Sequence, residues 1–425
     1  MRIMQIIITL TFILLLQSCS QKEYSNEIVP INKSRFQKGL PQDSVSLIWQ
    51  QLVNIKCDEV LNDWWNSNQT KDNERKYIDF GYLENNTKTG EFGKETKGGI
   101  RPAAQAAYSV AVALFTGAYD TSFTGVSSED ALLRTITIVK SIAKDHLANE
   151  GIEHPWGDQW QSTQWASKTA VAAWLLWDEF SDEDKFNIRN MIEHEANRFL
   201  NEFPVSSNDN YKIDTHAEEN GWDGTGIQTA CAMLPKHINY KLWYDKVVEY
   251  RLNALAIPSD LYNEREIGKR KIKDCITGYN VDALGAVGNH KAYPHPDYMA
   301  APLRHTIEGA LFYELANMTV PEANTFNCNL VYRNFVEHKW NNENTIYKKD
   351  GSIYWPIKIE EDRRFEFITF GIIDLGAHLL GYDDLVSVKG EQWEKLHTQK
   401  ALEMKLIGFA SASAYLLRWL EFQTH

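Results

Sequence analysis

Two kinds of helical segment alternate along this chain, and that alternation limits the fold more than any other feature. One kind is apolar on nearly every side and rich in small residues: about 102–118, 165–179, 226–234, 300–316, 366–380 and 402–421. The other carries one charged face: about 43–65, 129–147, 183–203, 241–256 and 322–340. A helix apolar all round must be buried, whereas one with a charged face lies at the surface. Alternating inner and outer helices are what an (α/α) toroid requires, an inner ring wrapped by an outer one. No fixed-period repeat points to an open solenoid. The sequence therefore predicts an all-α fold, an (α/α) toroid (an incomplete barrel of five to seven helical hairpins), as a single domain over 39–425.

The connections are unequal. Outer-to-inner links are long (about 66–101, 154–164, 204–225, 257–299 and 341–365), and the return links are short. In an alternating ring all links of one direction emerge on one face. That face is expected to hold the cleft, because long structured loops on a rigid scaffold are where binding and catalysis reside.

The N-terminus reads differently. Met1–Ser18 has one basic residue and then an apolar run from Ile6 to Leu16, too short to span a membrane and of signal-peptide type. It ends in Leu16-Gln17-Ser18-Cys19, similar to a lipobox, so Cys19 is the expected lipidation site and 19–38 a flexible tether. This places the protein in the cell envelope, held to a membrane by its lipid. With 57 acidic against 44 basic residues the chain is net acidic, which argues against nucleic acid as a partner. Cys57, Cys231, Cys275 and Cys328 form no CxxC or His-Cys metal spacing. They could pair in an exported protein or stay as buried thiols. No cofactor or metal is implied.

Four clusters could carry chemistry. The first, Asn289-His290-Lys291-Ala292-Tyr293-Pro294-His295-Pro296-Asp297-Tyr298, precedes an inner helix that contains Arg304, and its prolines stop that helix from extending backwards. The second, His216-Ala217-Glu218-Glu219-Asn220-Gly221-Trp222-Asp223-Gly224-Thr225-Gly226, also reads as a loop before an inner helix, with Asp223 or Thr225 as a possible cap. The third runs from His154 to Trp165. Its Trp156, Trp160 and Gln164 suit a wall on which sugar rings stack. The fourth holds Asp350-Gly351-Ser352, Tyr354, Trp355, and then Arg363 and Arg364, which could grip a carboxylate.

Together, HAEENGWDGTG and NHKAYPHPDYM resemble a group of helical-toroid proteins related to polysaccharide lyases, in which the patterns read EENxW and NHGxxHPxY. Alginate and glucuronan lyases, particularly polysaccharide lyase family 38, are the nearest named relatives. The resemblance follows helix order over most of the chain, but its specific matches are these two motifs. Lys291 stands where the group has glycine. Asn289-His290 is also similar to the Asn-His pair of other toroid alginate lyases, which place an arginine shortly before the catalytic tyrosine; here Arg304 follows it. The resemblance implies β-elimination on an acidic, uronate-containing polysaccharide, with a tyrosine as base and acid: Tyr298, or Tyr293 second.

The chemistry suits these residue types. Removing the C5 proton of a uronate requires neutralising the neighbouring carboxylate and stabilising the enolate-like dianion. Asn220, Asn289, His290 and a protonated Glu219 are suited to that, Glu219 only if burial or Glu218 raises its pKa. A tyrosine ionises near 10 in water, so its phenolate needs positive charge from Arg304, His295 or His290. A histidine base with a tyrosine acid stays open. Trp222, His216, Trp156, Trp160, Gln164, Tyr293 and Arg364 are the expected substrate contacts. A toroid glycoside hydrolase would instead pair carboxylates from Asp158, Glu219 and Asp223. A surface glycan-binding lipoprotein would need the aromatic rings alone.

Overall fold

The computed structural model describes residues 24–68, 100–149, 155–358 and 366–424. Cys19, the segment before it and Arg364 lie outside these residues. Among the described residues the chain is all-α, apart from one two-stranded hairpin, β1 (Glu266–Ile267) and β2 (Arg270–Lys271). Six outer helices are α1 (Ser44–Asp58), α3 (Ser128–Lys144), α5 (Asp182–Arg198), α7 (Tyr240–Leu255), α9 (Cys328–Val336) and α11 (Gly390–Glu403). They alternate with α2 (Ile100–Thr116), α4 (Ser162–Leu175), α6 (Ala217–Met233), α8 (Pro296–Leu315), α10 (Phe367–Leu379) and α12 (Ala410–Thr424).

Burial separates the two sets as the periodicity predicts. Every residue of α4 is buried, whereas α5 buries only its Ile188, Met191, Ile192, Glu195 and Ala196 stripe. Contacts among the apolar helices run in a closed cycle: α2 with α4, α4 with α6, α6 with α8, α8 with α10, α10 with α12, and α12 back to α2. The outer helices pack on their outside, α3 against α5 and α11 against α1.

Local signals set several boundaries. Asp43 caps α1 by accepting from the N–H groups of Val45 and Ser46, and Ser181 and Asp184 form a reciprocal box at the start of α5. Pro296 occupies the first turn of α8, where a missing N–H has no helical partner to lose. The outer segment expected over 322–340 is shorter, because Asn327 adopts φ 55° and separates a 3-10 turn from α9. The apolar segment expected at 402–421 is two elements: α11 ends at Glu403 and α12 starts at Ala410.

The second motif is helical, not a loop. Ala217–Gly226 forms the first turns of α6 despite three glycines, each costing roughly 1 kcal/mol against alanine in a helix. Packing explains two of them. A Cβ at Gly226 would lie 1.8 Å from Cγ2 of Thr163 in α4, and one at Gly221 would lie 3.3 Å from the Pro302 backbone in α8. The inner helices approach closely because these side chains are missing. Asp223 and Thr225 are accordingly mid-helix residues and not caps.

The N-terminal stretch also departs from expectation. From Ser25 to Lys38 it is a strap fastened across the C-terminal ends of the inner helices, not a flexible tether. Ser25 N–H donates to Lys236 O and Val29 N–H to Met233 O. Arg35 donates to the carbonyls of Glu314 (3.1 Å) and Leu315 (3.2 Å), and Lys38 Nζ to that of Phe422 (2.9 Å). Cations at helix C-termini satisfy orphan carbonyls and oppose the dipole. Among the described residues no helix is long and apolar enough to cross a membrane, and Cys57, Cys231, Cys275 and Cys328 are buried free thiols.

Candidate active site

The face opposite the strap holds a cleft of about 730 Å³. Its lining comes from the long outer-to-inner links and from the helix starts that follow them, as the link lengths predict. Trp160 and Gln161 precede α4; Ile213 and Asp214 precede α6, whose first turn adds Glu218 and Glu219. Asn289, His290 and Lys291 precede α8, which adds Asp297, Tyr298, Ala301 and Arg304. Arg101 of α2, and Glu366 and Thr369 at the start of α10, complete it. The N-terminal ends of several inner helices therefore meet in one cleft, each bringing roughly half a positive charge to offset the carboxylates there.

The two motifs are joined by backbone. Gly288 N–H donates to Tyr211 O (2.6 Å) and Lys291 N–H to Ile213 O (2.9 Å), so the loop before α8 rests on the loop before α6. Asn289 and Ala292 exchange hydrogen bonds, and Asn289 Oδ1 also accepts from His290 N–H at 2.6 Å. That tight turn puts His290 (φ 50°) and Lys291 (φ 59°) in the left-handed region, which costs a side-chain-bearing residue roughly 1–2 kcal/mol. The conformation accounts for glycine at the place of Lys291 in the resembled pattern.

The turn aims His290 at Tyr298. Nε2 of His290 lies 2.8 Å from the Tyr298 hydroxyl at the cleft wall. The buried His295 ring meets the Tyr298 ring edge-on at 4.8 Å between centroids, and Trp355 backs His295 at 6.2 Å. His295 thus fixes the tyrosine ring from behind and is not part of the cleft lining.

Glu218 is the perturbed carboxyl. Burial raises it to about 7, Glu219 and Asp297 add to the rise, and Arg304 and Arg101 oppose it. Glu218 is the neighbour of Glu219, the carboxyl expected from the sequence to serve as a neutral acid. Glu219 lines the cleft as well. Its Oε1 is 3.7 Å from Nδ1 of His216, whose pKa it raises. Gln161 Oε1, Glu219 Oε2 and Arg304 Nε are buried without a hydrogen-bond partner among the described residues. Unsatisfied polar atoms lining a cleft are groups that a polyhydroxylated, carboxylated ligand would pair.

Several expected contacts have other duties. Asn220 is buried and its amide is spent on Val205, accepting from its N–H (3.2 Å) and donating to its carbonyl (2.8 Å). Trp222 is 1% exposed, donates to Trp160 O and packs against the Trp160 ring at 4.9 Å. Trp160 is the indole that lines the cleft, 46% exposed. Trp156 is buried and donates to Ile142 O, and Gln164 is buried in α4 while Gln161 takes the cleft position. Tyr293 donates a short hydrogen bond to Asp282, and burial, together with that carboxylate, pushes the phenol far up, unlike a base. Asp158 pairs with His194 at 2.9 Å, and Asp223, pushed well up by burial, lies outside the cleft lining.

Arg101, Gln161, Asp214, Glu218, Lys291, Asp297, Glu366 and Thr369 are cleft residues that were not among the sequence candidates. Arg101 and Glu366 had no local signal. Gln161, Glu218, Lys291 and Asp297 sat inside recognised clusters. Among the described residues no group of three or more His, Cys, Asp or Glu side chains could hold a metal ion. No protein-family model matches the chain, and no curated protein matches it significantly.

Proposed function

We propose that this protein is a polysaccharide lyase that cleaves a uronate-containing polysaccharide by β-elimination, on an (α/α) toroid. The carrying observation is the hydrogen bond between His290 Nε2 and the Tyr298 hydroxyl in a cleft that also holds a near-neutral carboxyl, Glu218. In this reading His290 accepts the Tyr298 proton, and the phenolate takes the C5 proton of the uronate. The C4–O4 bond breaks, a C4=C5 double bond forms, and Tyr298 returns the proton to the departing O4. Protonated Glu218, Arg304 and Asn289 hydrogen-bond the substrate carboxylate, whose charge would otherwise oppose C5 ionisation. Trp160 stacks on a sugar face. An anchor at Cys19, with the acidic polysaccharide as partner, keeps the activity at the cell envelope.

The test is a panel of uronic polysaccharides assayed for the ultraviolet-absorbing unsaturated product. Tyr298→Phe is expected to lower turnover by roughly 10²–10⁴-fold; normal turnover by that variant would overturn the assignment. Glu218 also favours one second reading. A carboxyl that stays protonated near neutrality beside Glu219 and Asp297 is what a glycoside hydrolase uses as general acid. A saturated product with a new reducing end would select it.

A further inference from the structure

Beneath the cleft floor Arg304 leads into a chain of buried polar side chains that the proposed chemistry does not use. Arg304 Nη2 is 3.1 Å from Nε2 of His305. Nδ1 of His305 faces Oε2 of Glu308 at 3.7 Å, and Oε1 of Glu308 lies 2.6 Å from Lys168 Nζ. Ser413 Oγ donates to the same Glu308 oxygen at 2.9 Å, and Lys168 stands over the Tyr108 ring at 4.4 Å. His305, Glu308 and Lys168 are almost wholly buried.

A guanidinium has no acceptor, so in the Arg304–His305 contact Nε2 of the imidazole must be the acceptor. The proton of a neutral His305 then sits on Nδ1, the side that faces the Glu308 carboxylate. Burial and Arg304 hold His305 neutral, lowering it to about 3. Two cations, Arg304 and Lys168, flank the buried Glu308 carboxylate.

We propose that His305 is a positioning residue: its Nδ1 side is turned to Glu308, which Lys168 flanks, and its Nε2 lone pair holds the Arg304 guanidinium in the orientation that meets a substrate carboxylate. The carboxylate contact rests on the lyase reading; the tautomer does not.

Two variants separate positioning from packing. In His305→Gln the side-chain amide carbonyl reaches the place of Nε2 and can still accept from Arg304. In His305→Asn the amide reaches only the place of Nδ1. On the uronate polymer that the panel identifies, His305→Asn is expected to raise KM about 10–100-fold with a smaller change in kcat, and His305→Gln to stay within about fivefold of wild type. Equal losses in both variants would overturn the proposal. A second readout needs no substrate. In the full chain labelled with ¹⁵N-histidine, the imidazole signal that vanishes in His305→Gln is expected to show a neutral ring protonated on Nδ1. A ring protonated on Nε2, or on both nitrogens, at neutral pH would refute the positioning role even if the polymer is cleaved. An Nδ1–H ring with no uronate cleavage would sink the lyase reading and leave the tautomer standing.

Discussion

Glu218→Gln is expected to make the protein more stable above neutral pH. At about pH 8 the wild-type carboxyl is ionised although its surroundings oppose the charge. It ionises at about 7 in the fold and at the ordinary 4.5 when unfolded. Between those values the folded state binds more protons than the unfolded one, so stability falls as pH rises through the window and is level on either side. At 1.36 kcal/mol per tenfold change in proton affinity the full window is worth about 3 kcal/mol. Glu218 is only partly buried by accessible surface, and solvent screening brings this to roughly 1–2 kcal/mol. Glutamine is nearly isosteric and uncharged throughout. The variant is therefore expected to match wild type near pH 4.5 and to exceed it by roughly 1–2 kcal/mol near pH 8. Urea denaturation of both proteins across this range reads the difference. A difference that is constant with pH, or that grows toward acid, would show that Glu218 is an ordinary carboxyl and remove its role in neutralising the substrate.

Three further outcomes follow from the packing and the cleft. Trp160→Ala is expected to raise KM about tenfold with kcat and thermal midpoint little changed, because the indole is exposed and Trp222 supports it from behind; steady-state kinetics on oligosaccharides of increasing length check this. Gly226→Ala drives a methyl group into Thr163 and is expected to cost roughly 1–3 kcal/mol in denaturant titrations, part of it recovered in the double variant with Thr163→Ser, which removes Cγ2. Lys291→Gly relieves a left-handed side chain at the expense of chain entropy, for a net gain of up to about 1 kcal/mol. Its KM for an anionic polymer is expected to rise with the loss of a cleft cation, and the rise should vanish at high salt.

The helices and the face that carries the cleft were legible because burial leaves a periodic trace. The cluster at 289–298 was legible because so many polar rings and amides next to two prolines have no place in a core. What sequence could not show depends on distant partners. Asn220 looks as functional as Asn289 until Val205, fifteen residues earlier, takes up its amide. Glu218 and Glu219 are adjacent on α6, and what pushes the Glu218 carboxyl up is burial by distant parts of the chain, with Glu219 and Asp297 beside it. The glycines of the second motif argued for a loop, because local propensity carries no record of Thr163 and Pro302 pressing against them. Arg101 and Glu366 are single charges at helix starts, brought into the cleft by the cyclic contacts of the inner helices and by nothing in their own neighbourhood.

The strap settles from which side the polypeptide enters its fold. Its fastenings lie at the C-terminal ends of α6, α8 and α12, while Tyr298, Glu218 and Glu366 sit at or near the N-terminal ends of α8, α6 and α10. An inner helix of 17 residues such as α6 separates those two levels by roughly 25 Å. Tyr24, beside the Ser25–Lys236 fastening, therefore lies at the level of the helix C-termini, at the far end of the inner helices from the cleft.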